Sequence, residues 1–258
     1  MVVLHVSPHP DDEAIGSPAA LLALRDHGAR IVNYACGLGR PADHARRRGE
    51  LVEACARARF ELRLAEPPLA ISRGDDLVEA EKLLTRSLDE LCDELEPAIV
   101  VSPSPHDGHH AHELVGRAVR NALAARTATW WMWGVWADLP FPTLICAFDA
   151  ARLAELRHVL AAHAGELARN DLDRLLRARA EANASLAAER VFGSGVSADR
   201  EVAYAELLCE AVPCDGGWLL GSPRRLDPRA PLAAPSARAI GWWLEGESVH
   251  DRFRRKRL

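Results

Sequence analysis

Short apolar runs alternate with longer amphipathic ones through the first ~140 residues of this 258-residue chain, and that alternation restricts the fold more than any other feature. Strands joined by crossovers long enough to hold a helix lie parallel, with helices covering both faces of the sheet. Val2 to Val6 is a strand-forming run that ends in Ser-Pro-His-Pro, a strand followed by a loop. Ala14 to His27 predicts a helix stopped at Gly28. Arg30 to Ala35 predicts a second strand, Asp43 to Arg59 a helix, and Phe60 to Leu64 a short third strand. A 3.6-residue apolar period over Leu77 to Leu95 predicts a long helix. Behind Pro97, Ala98 to Val101 is a buried strand, and the loop Ser102 to His112 opens a helix that runs to about Ala125. Thr129 to Trp136 predicts a fifth strand.

Further along, Ala150 to Ala168 and Asp171 to Glu189 predict two helices rich in Ala, Leu and Arg. Val191 to Val196 and the surroundings of Trp218 predict less regular structure, and Pro and Gly cluster between residues 213 and 241. The expected fold is therefore α/β: a Rossmann-like, mostly parallel sheet flanked by helices, with a C-terminal helical or irregular extension. Residues 1–215 form the main domain in this reading, and 216–258 an extension packed on it. Both histidine-bearing loops leave the C-terminal end of a strand and enter a helix. Ligands of open parallel sheets bind at that edge, above all where the strand order reverses, and the first and fourth strands are expected to be neighbours there.

At this length, with 48% hydrophobic and 27% charged residues, the core needs no disulfide or structural metal, so a metal here would serve chemistry. A net charge of −5 argues against a nucleic-acid binder or a ligand of anionic membranes. The basic tail Arg252, Arg254, Arg255, Lys256 and Arg257 reads as a solvated terminus. Six cysteines without a CxxC pair, no signal-peptide pattern after Met1 and no apolar membrane span point to a reduced, cytoplasmic setting. A Cys209–Cys214 bridge stays open at this stage. There is no P-loop, GxGxxG or GxSxG to anchor a nucleotide site or a serine hydrolase.

Two segments carry chemistry. In Ser7-Pro8-His9-Pro10-Asp11-Asp12-Glu13, His9 and Asp12 stand three residues apart on a strand-to-helix elbow, a spacing that can bring an imidazole and a carboxylate to one ion. Adjacent Asp11 and Asp12 repel each other unless a cation or hydrogen bonds offset the repulsion. Helix capping accounts for one carboxylate, not for three acids behind a His-Pro. The second segment runs Pro103-Ser104-Pro105-His106-Asp107-Gly108-His109-His110-Ala111-His112-Glu113 and holds four of the chain's 11 histidines within seven residues. Two histidines and one carboxylate leave coordination positions free for water and substrate, the pattern of a catalytic rather than a structural site.

His9-Pro10-Asp11-Asp12-Glu13 resembles the signature of the LmbE-like (PIG-L) N-acetylglucosaminyl deacetylases, and Gly108-His109-His110-Ala111-His112 resembles that family's Gly-His-Pro-Asp-His motif. Arg47-Arg48-Gly49-Glu50-Leu51 is similar to its Arg-x-x-Glu-Leu helix, and Ala161-Ala162-His163 to a later Ala-His stretch, so the resemblance covers about residues 2–210. It implies His9, Asp12 and His112 as ligands of Zn2+ or Fe2+, Asp11 as general base, and His109 as the group facing the oxyanion. Arg47 is implied as a substrate contact, or else as a solvated member of the run Arg46 to Arg48. The sequence departs from the motif at His110 and Ala111; Ala111 removes the carboxylate expected to orient His109, leaving Asp107 and Glu113 to take that place. The expected activity is metal-dependent removal of an N-acetyl group from a small glycoconjugate. Beside it stand a related amidase acting on a small-molecule or thiol-conjugate amide and a non-catalytic sugar-binding homologue. No nucleic-acid or membrane partner is expected, and a homo-oligomer is compatible with the sequence. His5 is expected to be a satisfied core histidine. Trp130, Trp131, Trp133 and Trp136 form a strand read first as core and second as a sugar-stacking surface.

Overall fold

Val3, Leu4 and Val6 lack the alternation of a half-exposed strand, and in the computed structural model all three are fully buried. The structure describes residues 1–69, 71 and 77–248, so the basic tail at 252–257 lies outside the described residues. Five parallel strands are laid down first: β1 (Val2–Ser7), β2 (Arg30–Ala35), β3 (Glu61–Leu64), β4 (Ile99–Pro103) and β5 (Thr129–Trp133). Their order is β5-β4-β1-β2-β3. The chain moves outward from β1 through β2 to β3 and then returns to β4 on the other side of β1. The strand order thus reverses at β1, with His5 opposite Asn33 on one side and Val101 on the other. His5 is buried, its Nδ1 2.7 Å from Asn33 Oδ1.

The two faces of this sheet are covered by different helices. On one, Val3, Ile31, Val101, Trp131 and Trp133 pack with α2 (Pro18–Asp26), α3 (His44–Ala58), α6 (Ala150–Leu160) and α8 (Leu172–Phe192). On the other, Leu4, Val6, Val32, Val100, Trp130 and Met132 pack with α4 (Leu77–Leu95) and α5 (His110–Leu123). Trp130, Trp131 and Trp133 are core, whereas Trp136 is 67% exposed.

Three elements end earlier than periodicity predicts. The first helix divides into α1 (Asp12–Ile15) and α2, because Pro18 supplies no N–H and a Cβ on Gly16 would lie 2.6 Å from the Trp133 ring. The fifth strand stops at Trp133, since the next N–H groups, from Val135 to Ala137, turn inward to a buried carboxylate. The helix expected over 150–168 breaks at Ala161–His163 and resumes as α7 (Ala164–Leu167).

The C-terminal third completes a ten-stranded mixed sheet. β6 (Leu144–Phe148) and β5 both pair antiparallel with β7 (Tyr204–Cys214). β7 turns through Asp215-Gly216, with Gly216 at φ 84°, into β8 (Gly217–Gly221). β9 (Arg224–Arg225) joins β6, and β10 (Pro235–Ala239) pairs with β8 before the short helix α9 (Gly241–Leu244). The stretch whose Pro and Gly content predicts little regular structure therefore supplies strands of the same sheet, and the boundary expected at 215/216 falls in a hairpin turn. All six cysteines are free, Cys209 and Cys214 included. Among the described residues no helix is long and apolar enough to cross a membrane.

The closest helix contact near the histidine loops involves α5. A Cβ on Gly116 would sit 2.6 Å from Pro105 N and 2.9 Å from Pro103 O, backbone atoms with nowhere to move. Overpacking of this kind destabilises by about 1–3 kcal/mol. Gly116→Ala is therefore expected to lower Tm by roughly 3–10 °C, read by thermal unfolding, where the same change at open Gly49 leaves it unmoved or raised.

Candidate metal and catalytic site

Parallel pairing of β1 with β4 places their C-terminal ends side by side, so the elbow after Ser7 and the loop after Pro103 meet above the sheet edge. The His9 backbone N–H donates to Asp12 Oδ2 at 2.8 Å, which folds the elbow back on itself. Each Asp12 oxygen then faces one imidazole: Oδ2 lies 3.4 Å from His9 Nδ1, and Oδ1 3.5 Å from His112 Nε2. Bonds of about 2.0–2.2 Å to a tetrahedral zinc set neighbouring donors roughly 3.3–3.6 Å apart, and each of these two contacts falls in that range, through different oxygens of Asp12. Ring nitrogens of His9, His109 and His112 also lie within 4.8 Å of one another, which brings His109 to the same centre.

His112 is fixed from behind. Its Nδ1–H donates to Asp107 Oδ2 at 2.7 Å, which turns Nε2 to the side of Asp12. Asp107 is itself fully buried, and its Oδ1 accepts from the N–H groups of Val135, Trp136 and Ala137 at 2.7, 3.1 and 3.2 Å. A carboxylate behind a ligating histidine sets its tautomer and raises its basicity. The carboxylate sought for His109 therefore serves His112 instead: Asp107 has one face on His112 and the other on three backbone donors.

The four loop histidines divide in two. His106 Nε2–H donates to Trp243 O at 2.6 Å and His110 Nε2–H to Ile71 O at 3.1 Å, tying the loop to α9 and to the segment near residue 71. His109 and His112 face the centre. The His109 ring stacks on Trp136 with centroids 5.5 Å apart and meets His112 edge-on at 4.9 Å. Its Nδ1 is buried without a hydrogen-bond partner among the described residues. Burial, and then the charges of His112, His9 and His110, push the His109 pKa down to about 3, so the ring is neutral near pH 7.

The three consecutive acids have three fates. Burial opposes the charge on Asp12, but His112 and the bonds from His9 outweigh it and hold its carboxyl below the usual range. Glu13 is fully buried; its Oε1 accepts from His163 Nε2 and its Oε2 from the Asp11 N–H at 3.1 Å. Asp11 is half-buried at φ 114°, a strained left-handed conformation for a non-glycine residue, worth of order 1–3 kcal/mol. It stands at the N-cap of α1 without a side-chain cap bond, and its carboxylate has no hydrogen-bond partner among the described residues. Burial, with Asp12 and Glu13 adding to it, raises its pKa well above the ordinary carboxylate range.

Arg47 is buried under the elbow. Nη2 donates to Pro10 O at 3.1 Å and lies 3.5 Å from Glu166 Oε1, and Nη1 lies 3.5 Å from Leu38 O. Its guanidinium thus faces these protein groups. His163, though 150 residues from Glu13 in sequence, reaches the back of the elbow.

Residues 4–123 match the family PIG-L: GlcNAc-PI de-N-acetylase. Over this segment, which is less than half of the chain, the sequence is similar to the LmbE-like (PIG-L) family. Over 137 residues it is 31% identical to the probable N-acetyl-alpha-D-glucosaminyl L-malate deacetylase 2 of Bacillus subtilis (strain 168), a match covering 47% of this chain and 60% of that relative's length. The zinc-inhibited form of teicoplanin deacetylase Orf2 superposes with a TM-score of 0.64 at 16% identity, over 84% of this chain and 100% of that one. GalB, the 4-carboxy-2-hydroxymuconate hydratase of Pseudomonas putida KT2440, superposes with a TM-score of 0.62 at 17% identity, over 83% and 97% of the two chains. At these identities the likeness is one of fold, and the fold is shared by a hydratase, so the chemistry rests on the site.

Asp107→Ala removes the group that orients His112, and loss of such a partner typically weakens metal binding 10–100-fold. A fall in zinc affinity of that size is expected in competition with a chromophoric chelator.

Proposed function

We propose that this chain is a metal-dependent hydrolase that removes the N-acetyl group from an N-acetylglucosamine-type glycoconjugate. The observation that carries the reading is the meeting of His9, Asp12 and His112 from two distant loops at ion-sharing distances, beside an uncommitted Asp11. The family match over residues 4–123 and the Bacillus relative's printed activity support the choice of an N-acetylglucosamine amide.

A divalent ion, zinc or ferrous iron, fits the donor set of two imidazoles and one carboxylate and would supply a Lewis acid for the amide carbonyl together with acidification of water to a pKa of roughly 7. His9, Asp12 and His112 hold that ion. Asp11 takes the proton of the attacking water and returns one to the departing amine; its half-exposed, unbonded carboxylate and upward-shifted pKa suit a group that must accept and release a proton. His109 donates a hydrogen bond to the oxygen of the collapsing amide as a neutral imidazole, since it has no carboxylate partner to keep it cationic. Trp136, exposed and stacked on His109, extends a flat apolar face outward from the reacting centre, a surface suited to the face of a sugar ring.

Acetate release from N-acetylglucosamine conjugates by the zinc- or iron-loaded protein is the direct test, and failure across a panel of such amides overturns the proposal. Within it, Asp11→Asn is expected to lower turnover by roughly 10²-fold or more with the metal retained. His112→Ala should lose the metal, whereas His109→Ala should keep it and lose turnover. Metal loss from His109→Ala would make that residue a ligand. Trp136→Ala is expected to raise KM about tenfold, with a smaller effect on kcat.

A further inference from the structure

The peptide unit between Pro10 and Asp11 is gripped at both ends. Its carbonyl accepts from Arg47 Nη2 and its N–H donates to Glu13 Oε2, each at 3.1 Å. Behind these two partners stand two more. His163 donates to Glu13, and Glu166 Oε1 lies 3.5 Å from Arg47 Nη2. His163 is the N-cap residue of α7 and Glu166 lies within that helix, so both lines run to one corner between α6 and α7. The corner is tied in turn to α3, where Glu50 Oε1 accepts from Gly165 N–H at 2.8 Å. All four gripping side chains are buried, Glu13 and His163 completely.

The geometry points to a positioning device: the α6–α7 corner, acting through His163–Glu13 and Glu166–Arg47, fixes the Pro10–Asp11 peptide plane and thereby holds Asp11 in its left-handed conformation. This rests on the reading of Asp11 as the proton-transfer group. A residue at φ 114° relaxes to negative φ if the preceding peptide is free to rotate, and its carboxylate then swings with it. One local bond spans the unit, from Asp12 N–H to His9 O at 3.4 Å, but such a turn closes with its central peptide facing either way, so it does not select the orientation. Asp11 makes no side-chain cap, and the α1 bonds from Ala14 and Ile15 N–H engage the Asp11 carbonyl, on the far side of its Cα. Buried ion pairs add little net stability compared with apolar packing, so two of them converging on one peptide unit are accounted for by the geometry they impose. His163, Glu13, Arg47 and Glu166 are positioning residues in this scheme and touch no substrate.

Amide hydrogen exchange at Asp11, followed by NMR on the zinc-loaded full chain, reads the grip without reference to turnover. Glu13→Ala and His163→Ala are expected to speed that exchange at least tenfold. Glu13→Gln, which can accept from Asp11 N–H and donate to the other tautomer of His163, should restore protection to within about threefold. In acetate release, the two alanine variants are expected to lower kcat about 10–100-fold, with KM within threefold and metal content unchanged. Glu13→Ala should then have less than a threefold effect in the Asp11→Asn background, because an interaction that acts through Asp11 cannot be lost twice. Unchanged exchange, additive effects in the cycle, or loss of metal in parallel with kcat would each overturn the proposal. Where His163→Ala does not fold, His163→Gln and Glu166→Gln give the same exchange readout. A wild-type protein that releases no acetate defeats the deacetylase reading alone and leaves the exchange test standing.

Discussion

Hydrogen bonding of β1 to β4, strands separated by more than ninety residues of chain, is the constraint from which the site follows. β1 has β2 on one side, as sequence neighbours usually do, and the open side is taken by β4 only after the chain has run out to β3 and back. Parallel pairing puts both C-terminal ends at one edge. Because the strand order reverses at β1, right-handed crossovers leave the two strands toward opposite faces, α1 and α2 on one and α5 on the other. A crevice opens where they part. The histidines and acids occupy that crevice because the residues just past Ser7 and Pro103 have no other place to go.

Within the crevice, work is divided among neighbours of like chemistry. Three acids in a row would repel one another if all faced the same way. Here Asp12 turns to two imidazoles, Glu13 to His163 and a backbone N–H, and Asp11 is left without a partner. The four histidines of the second loop divide likewise, two holding the loop to distant carbonyls and two facing the centre. A site of this type needs more polar groups than react, because the reacting ones are held only as well as the groups behind them.

Much of this was legible in the sequence, and the remainder has identifiable physical reasons for being hidden. The parallel half of the sheet follows from strand and helix periods, and the switch point at β1 from the positions of two histidine loops. The β7–β8 hairpin carried a local signal, Asp215-Gly216, which suits a two-residue turn with positive φ; the surrounding Pro and Gly masked it. The split between α1 and α2 was announced by Pro18 yet needed the Trp133 ring under Gly16 to fix its place. Asp107 lies within the second motif, but its role depends on three N–H groups about thirty residues away, and no spacing rule reaches that far. The bond between His163 and Glu13 is longer-range still. Arg47 and Glu50, one turn apart on α3, bond to the elbow and to the α7 corner, partners that lie too far off in the chain for any spacing to show.

Ala111 gives the clearest case of a sequence departure with a structural consequence. It is fully buried in the first turn of α5, and among the described residues no carboxylate bonds His109 Nδ1 in place of the missing one. His109 is surrounded by His9, His110, His112 and the Trp136 face, and burial, with the three imidazoles adding to it, opposes its protonation more than the charge of Asp12 favours it. A neutral imidazole can still donate one hydrogen bond, but a neutral donor is roughly half as strong as a charged one. In the proposed mechanism the electrostatic load would therefore shift from His109 toward an ion that His9, Asp12 and His112 would hold. On that reading the support of His112 by Asp107 is the more consequential part of the second loop: Asp107 accepts from three backbone N–H groups and from one imidazole, and so keeps that imidazole aimed at one point.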